Sequence, residues 1–250
     1  YSTKSRKPRL SGKSTKPANE ADMPVRIVST IVTASSNYDL TTLENVKDDL
    51  AIPNTDTSSD ATLARFITEQ SALVAQYCNR VFPIETIKDV IYPNRDPYPY
   101  QVTGVLSELQ LSRWPIVSVT SVTDTVALNT ANTLVAGTDF VVDAARGWLT
   151  KIDPNTGYVT DWSPNQYTAQ YTAGYFTPGT TSPPADLEMA VLRLVTARFK
   201  ARGRDPFLRS QGEPGVGQEQ YWIGALPGQT GPFPPDIAAV LEKYRVPLTA

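Results

Sequence analysis

Apolar residues recur every three or four positions in four stretches of this chain, and at alternate positions in the long region between the second stretch and the third. The first spacing marks one face of a helix, the second one face of a strand. LTTLENVKDDL sets Leu43, Val46 and Leu50 on one side, with Thr41 or Thr42 as its cap and Pro53 as its stop. After the cap-rich run NTDTSSD, where Ser58 or Ser59 is the expected cap, ATLARFITEQSALVAQYCNRVF carries Leu63, Phe66, Ile67, Val74, Tyr77 and Val81 as one buried stripe up to Pro83. A third helix, ADLEMAVLRLVTARFKARG, follows Pro184. Its stripe of Leu187, Val191, Leu194 and Val195 is widened by Leu192 and Phe199, so it packs on more than one side. FPPDIAAVLEKYRVP predicts a short last helix, opened by Pro235 and Asp236 and closed before Pro247.

From Glu85 to Phe176 the period changes to two. ETIKDVIYP, ELQLSRWPIVSVTSVTD, TDFVVD, GWLTKI and QYTAQYTAGYF are rich in Val, Ile, Thr and Tyr. Tyr167, Ala169, Tyr171 and Ala173 line one face of a strand, and Thr168, Gln170 and Thr172 the other. Ala145-Arg146-Gly147 and Asn155-Thr156-Gly157 read as turns, and VRIVSTIV from Val25 as a further strand. The expected fold class is α+β: a helical bundle core, with helices near 41–50, 58–81, 184–203 and 235–244, and an inserted small antiparallel sandwich or barrel. Residues 1–22 read as a disordered basic arm, 23–83 as an N-terminal extension with the helical pair, and 84–177 as the β-rich insert. Residues 183–245 hold the C-terminal helices with a long glycine- and proline-rich loop at 205–233.

Composition narrows the function classes. The 250 residues are 19% charged and include 14 glycines and 21 prolines, as expected for many short elements joined by rigid turns. No run of eighteen apolar residues occurs, so neither a membrane span nor a membrane partner is expected. There is no histidine, which excludes Ser-His-Asp and Cys-His catalysis and imidazole metal sites. The single cysteine, Cys78, sits in a helical pattern and reads as a buried structural thiol. GEPGVGQ at 212–218 lacks the lysine and hydroxyl of a phosphate loop, and DPNTG at 153–157 lacks the ligands of a calcium loop. No nucleophile, base and oxyanion donor assemble, so no catalytic residue, metal or cofactor is expected, and the chain reads as no enzyme.

Charge marks the candidate sites. The net charge of -2 hides six basic residues and no acidic one in residues 1–16, which leaves a net of -8 on the other 234 residues. Lys4, Arg6, Lys7 and Arg9 of this arm are candidate partner contacts. A second basic cluster, Arg198, Lys200, Arg202, Arg204 and Arg209, closes the third helix and, with Arg193, has three readings. It is a solvated helix end, a DNA-backbone contact, or a set of partners for a neighbouring subunit. Tyr221, Trp222 and Ile223 form a compact apolar group within the 205–233 loop and are candidates for docking into a partner.

The order and spacing of these elements resemble the tailed-phage head–tail connector (adaptor) family, in its longer, strand-containing members. The stretch LTTLENVKDDLAIPNTDTSSDATLARFITEQSALVAQYCNRVF, with its Tyr77-x-x-Arg80 ending, carries the likeness, followed by RWPIVSVTSV, TDFVVD, YTAQYTAGY and PPADLEMAVLRLVTARFKARG. It spans residues 40 to 245, and the arm and the long loop depart from the pattern. The resemblance marks Leu43, Val46, Leu50, Leu63, Ile67, Tyr77, Leu187, Val191 and Arg198 as packing positions. It implies a non-enzymatic virion protein that forms a ring with itself, twelve copies by resemblance, in the virion neck after assembly in the host cytoplasm. Its implied partners are the portal protein, a stopper or tail-completion protein, and the passing genomic DNA. The alternative class is a nucleic-acid-binding packaging protein that uses the arm and the 198–209 cluster together.

Overall fold

The computed structural model describes residues 26–92, 106–127, 130–163, 165–202, 210–213, 217–220 and 233–247. The chain is α+β: four helices pack as a bundle, and an antiparallel β module is inserted between the second helix and the third. The elements run β1 (Arg26–Thr33), α1 (Leu43–Asp49), α2 (Asp60–Cys78), β2 (Glu85–Tyr92), β3 (Glu108–Gln110), β4 (Ile116–Ala127) and β5 (Thr130–Leu134). They continue with β6 (Phe140–Asp143), β7 (Trp148–Lys151), β8 (Gln166–Ala173), α3 (Ala185–Lys200), β9 (Ser210–Glu213), β10 (Gly217–Gln220) and α4 (Pro235–Glu242).

The bundle forms where the periodic stripes meet. Val46, Leu63, Phe66, Ile67, Val74, Leu187, Val191 and Val195 are buried together, joined by Phe233, Ile237 and Leu241 from the α4 end. Thr42 caps α1 by accepting from the Asn45 N–H at 3.2 Å. Lys47 is buried, and its ammonium meets the Asp56 carbonyl at 2.9 Å and the Asp60 carboxylate at 2.5 Å, which ties the α1–α2 linker down. The second helix ends at Cys78, before the Pro83 stop read from the sequence. Asn79 turns left-handed at φ 48°, and the Arg80 N–H bonds back to the Ala75 carbonyl at 3.1 Å, so a six-to-one closure ends the helix first. The Cys78 thiol is fully buried against the Leu241 carbonyl, and burial pushes it up to about 11, which keeps it protonated and inert at neutral pH.

The β module is two layers. Five strands in the order β1-β2-β8-β4-β5 pair antiparallel throughout and cover a three-stranded sheet, β3-β7-β6. The alternation of β8 holds residue by residue: Tyr167, Ala169, Tyr171 and Ala173 are buried between the layers, while Thr168, Gln170 and Thr172 are half-buried on the outer face. Trp162 meets Tyr167 edge-on at 5.0 Å and donates to the Leu149 carbonyl at 3.1 Å, closing one end of that core. Three features differ from the sequence reading. The first strand, read with the helical pair, lies along β2 and extends the sheet. Thr130–Leu134 forms β5 despite a polar composition, because the hairpin partner β4 supplies its pairing. Within the 205–233 loop, Ser210–Glu213 pairs with Gly217–Gln220 as a short hairpin.

The insert leaves and rejoins the bundle at one place. The Tyr175 N–H donates to the Phe82 carbonyl at 2.7 Å and the Ile84 N–H to the Phe176 carbonyl at 2.8 Å, so the outgoing and returning chains run side by side. Such adjacent ends let a bundle carry a whole β module without opening its core.

Candidate assembly surfaces

The third helix places the basic cluster. Its apolar stripe seats the helix in the bundle, and Arg193, Arg198 and Lys200 follow on exposed positions. Arg193 reaches Asp236 of α4 at 3.0 Å, and Arg198 reaches Glu69 of α2 at 2.6 Å while its guanidinium lies 4.6 Å from the centre of the Phe66 ring. Both pairs are solvent-exposed and contribute on the order of 0–1 kcal/mol, so they orient helices more than they hold them together. Arg202 lies over its own neighbour Phe199 at 5.0 Å, and among the described residues neither Lys200 nor Arg202 meets a carboxylate. Arg204 and Arg209, Tyr221, Trp222 and Ile223, and the arm residues Lys4, Arg6, Lys7 and Arg9 lie outside the described residues.

A second surface was not singled out in the sequence. A cleft of about 660 Å³ opens where the bundle meets the β module, lined by Asn79 and Arg80 on one side and by Ser112, Arg113 and Trp114 on the other. Arg80 spans the two halves: its guanidinium lies 4.9 Å from the Trp114 ring centre and 5.5 Å from that of Tyr175, and it donates to the Tyr175 hydroxyl. Of the Tyr77-x-x-Arg80 pair, which carried the family resemblance, only Arg80 lines this cleft. Tyr77 turns instead to α4, donating to Glu242 at 3.2 Å and meeting Phe233 edge-on.

Two buried carboxylates hold the far wall of that cleft. Asp89 on the inner face of β2 accepts from the Ser112 N–H at 2.8 Å, the Ser112 hydroxyl at 2.9 Å and the Tyr171 hydroxyl at 2.7 Å. Burial and the Asp89 charge hold the Tyr171 phenol far above its ordinary value, so it stays a donor. Glu85 pairs with Arg113 and accepts from the Tyr38 hydroxyl at 2.5 Å and the Ser35 N–H at 3.2 Å. Burial alone would raise the Glu85 carboxyl; the Tyr38, Ser35 and Arg113 donors outweigh it and hold the group below its ordinary value. Every one of these polar groups answers a neighbour within the fold. They lock the β3–β4 turn in place and present no nucleophile beside a base. Among the described residues no group of three potential metal ligands occurs, and no helix is long and apolar enough to cross a membrane.

No protein-family model and no curated protein matches the chain. Solved structures do. A chain in the neck of an empty gene transfer agent (GTA) particle superposes with a TM-score of 0.50 at 17% identity, over 89% of this chain and 97% of that one. A chain from the virion of a native GTA particle does so with a TM-score of 0.50 at 16% identity and the same coverage. The fold is that of a GTA neck chain. At this identity the likeness is one of architecture, bundle and β module together, and it assigns no residue of the two surfaces.

Proposed function

We propose that this protein is a structural subunit of a virion neck: a head–tail adaptor that forms a ring beneath the portal, continues the DNA channel and joins head to tail. The observation that carries the reading is the shared architecture with a neck chain, which accounts for nearly all of that chain and nine-tenths of this one. The buried polar groups Asp89, Tyr171 and Glu85 serve packing rather than reaction. Its partners in this reading are further copies of itself, twelve by family resemblance, the portal protein, a stopper or tail-completion protein, and the passing genome. It assembles in the host cytoplasm, uses no cofactor and catalyses nothing. The net charge of -8 on residues 17–250 suits a part past which DNA must move, since strong phosphate attraction would retard it.

Electron cryomicroscopy of particles that carry the protein tests the reading. A closed ring of this chain at the portal vertex is the expected density. A location on the capsid surface, or single copies without ring symmetry, would overturn it.

A further inference from the structure

The first strand is built unlike a protected sheet edge. Among the described residues β1 is an eight-residue edge strand, and Arg26 is its only charged residue. Val28, Ile31 and Val32 are 40%, 47% and 51% exposed, and Tyr92, beside it on β2, is 41% exposed. Edge strands in monomers are ordinarily blunted by charges, proline or brevity, because a long apolar edge templates pairing with another chain. Part of the cause is the mismatch between layers. Three strands cannot cover five, so Ile31 on the inner face, which pairs with fully buried Ile87, stays open to solvent.

The opposite edge is β5, Thr130–Leu134, which carries no charge and whose Ala131, Asn132 and Thr133 are exposed. Among the described residues it pairs with β4 alone. Direction then restricts what can join. Every neighbouring pair across the sheet is antiparallel, and the sheet has five strands, so β1 and β5 run the same way. Neighbouring copies in a many-membered ring differ by only a small rotation, so their strand directions are nearly kept. Such copies can lay β1 of one against β5 of the next only as a parallel pair, a head-to-tail contact of the kind that closes rings. A two-fold contact would instead set β1 against β1, antiparallel, and stop at a dimer. Both edges lack acidic residues, so this join avoids the repulsion that the net negative remainder of the protein would impose elsewhere.

We infer that the β1 edge pairs with the β5 edge of a neighbouring copy, so that the five-stranded sheet runs on from subunit to subunit. The inference rests on the ring reading above and names the contact within it.

Disulfide trapping tests it in the assembled neck, using the full chain. Cys78 is fully buried, so introduced cysteines report cleanly. On the outer face of the sheet, Val28→Cys or Thr30→Cys is combined with Ala131→Cys or Thr133→Cys; all four positions are exposed, which leaves the fold undisturbed. Mild oxidation of at least one combination should give a ladder of covalent multimers that collapses to monomer on reduction, while each single variant gives none. A ring seen by microscopy with no ladder from any of the four combinations overturns the edge join and leaves the ring reading standing. Covalent dimers from a single β1 variant overturn it in favour of two-fold pairing. Particles in which this chain shows no multimer by either method overturn both.

Discussion

Gly174 shows how tightly the crossing between bundle and β module is drawn. Its φ is +144°, and a Cβ placed there would lie 2.6 Å from both the Pro83 carbonyl oxygen and the Ile84 Cα. Backbone on the opposite chain cannot yield as a side-chain tip would. Gly174→Ala should therefore cost about 2–4 kcal/mol, read as a lowered midpoint in chemical denaturation. Gly179→Ala, at φ +75° with nothing within 4 Å, is the matched control, with a loss of about 1 kcal/mol from backbone strain alone. Tyr171 offers a second measurement at this scale. Tyr171→Phe removes one of the three donors to fully buried Asp89 and should cost about 1–3 kcal/mol, because the carboxylate oxygen is left without that partner. If the variant unfolds at the wild-type denaturant midpoint, the network contributes nothing.

At the scale of elements, Glu85 joins the start of β2 to the segment after β1 and to the β3–β4 turn through Ser35, Tyr38 and Arg113. A carboxyl held below its ordinary value in the folded state stabilises that state above the ordinary value, and the contribution is lost as pH falls through the folded one. Acid titration followed by circular dichroism should show stability falling below about pH 4.5, the ordinary value for Glu. Glu85→Gln should flatten that part of the profile; an unchanged profile would remove Glu85 from the account. Which elements were legible in sequence follows from the same physics. The stripes on α2 and α3 and the alternation of β8 were readable, because each buries one face in a large core and turns a more polar face away from it. The polar strand β5 was not, since its pairing comes from β4 and its side chains are mostly exposed. The place of β1 was hidden for a related reason: strand pairing between Arg26–Thr33 and Thr86–Tyr92, far apart in the chain, leaves no local periodic mark. The junction cleft left no such mark in the sequence, because its wall from Ser112 to Trp114 is brought to Asn79 and Arg80 by the sheet.

For the whole molecule, the distribution of charge decides what the end of α3 is free to do. Arg193 and Arg198 are answered by Asp236 and Glu69 within the chain, whereas Lys200 and Arg202 close the helix without a carboxylate among the described residues. In the proposed ring, these two cations at the end of α3, on a chain whose residues 17–250 carry a net -8, would meet the acidic surface of another copy. Against duplex DNA the same two residues neutralise few phosphates, each contributing a salt slope of roughly 0.9, and the net negative charge of residues 17–250 opposes binding. Lys200→Glu combined with Arg202→Glu should thus weaken addition of the protein to portal-bearing particles by about tenfold or more, since like charges brought together across an interface cost several kcal/mol. The monomer should melt within a degree or two of wild type, because both positions are exposed and, among the described residues, meet no carboxylate. Duplex binding by the wild-type protein, measured at two salt concentrations, completes the comparison. Weak binding in the wild type together with failed assembly in the double variant is the expected outcome. Tight, salt-steep binding by the wild-type monomer, abolished in a double variant that still assembles, would instead turn this helix end towards the genome.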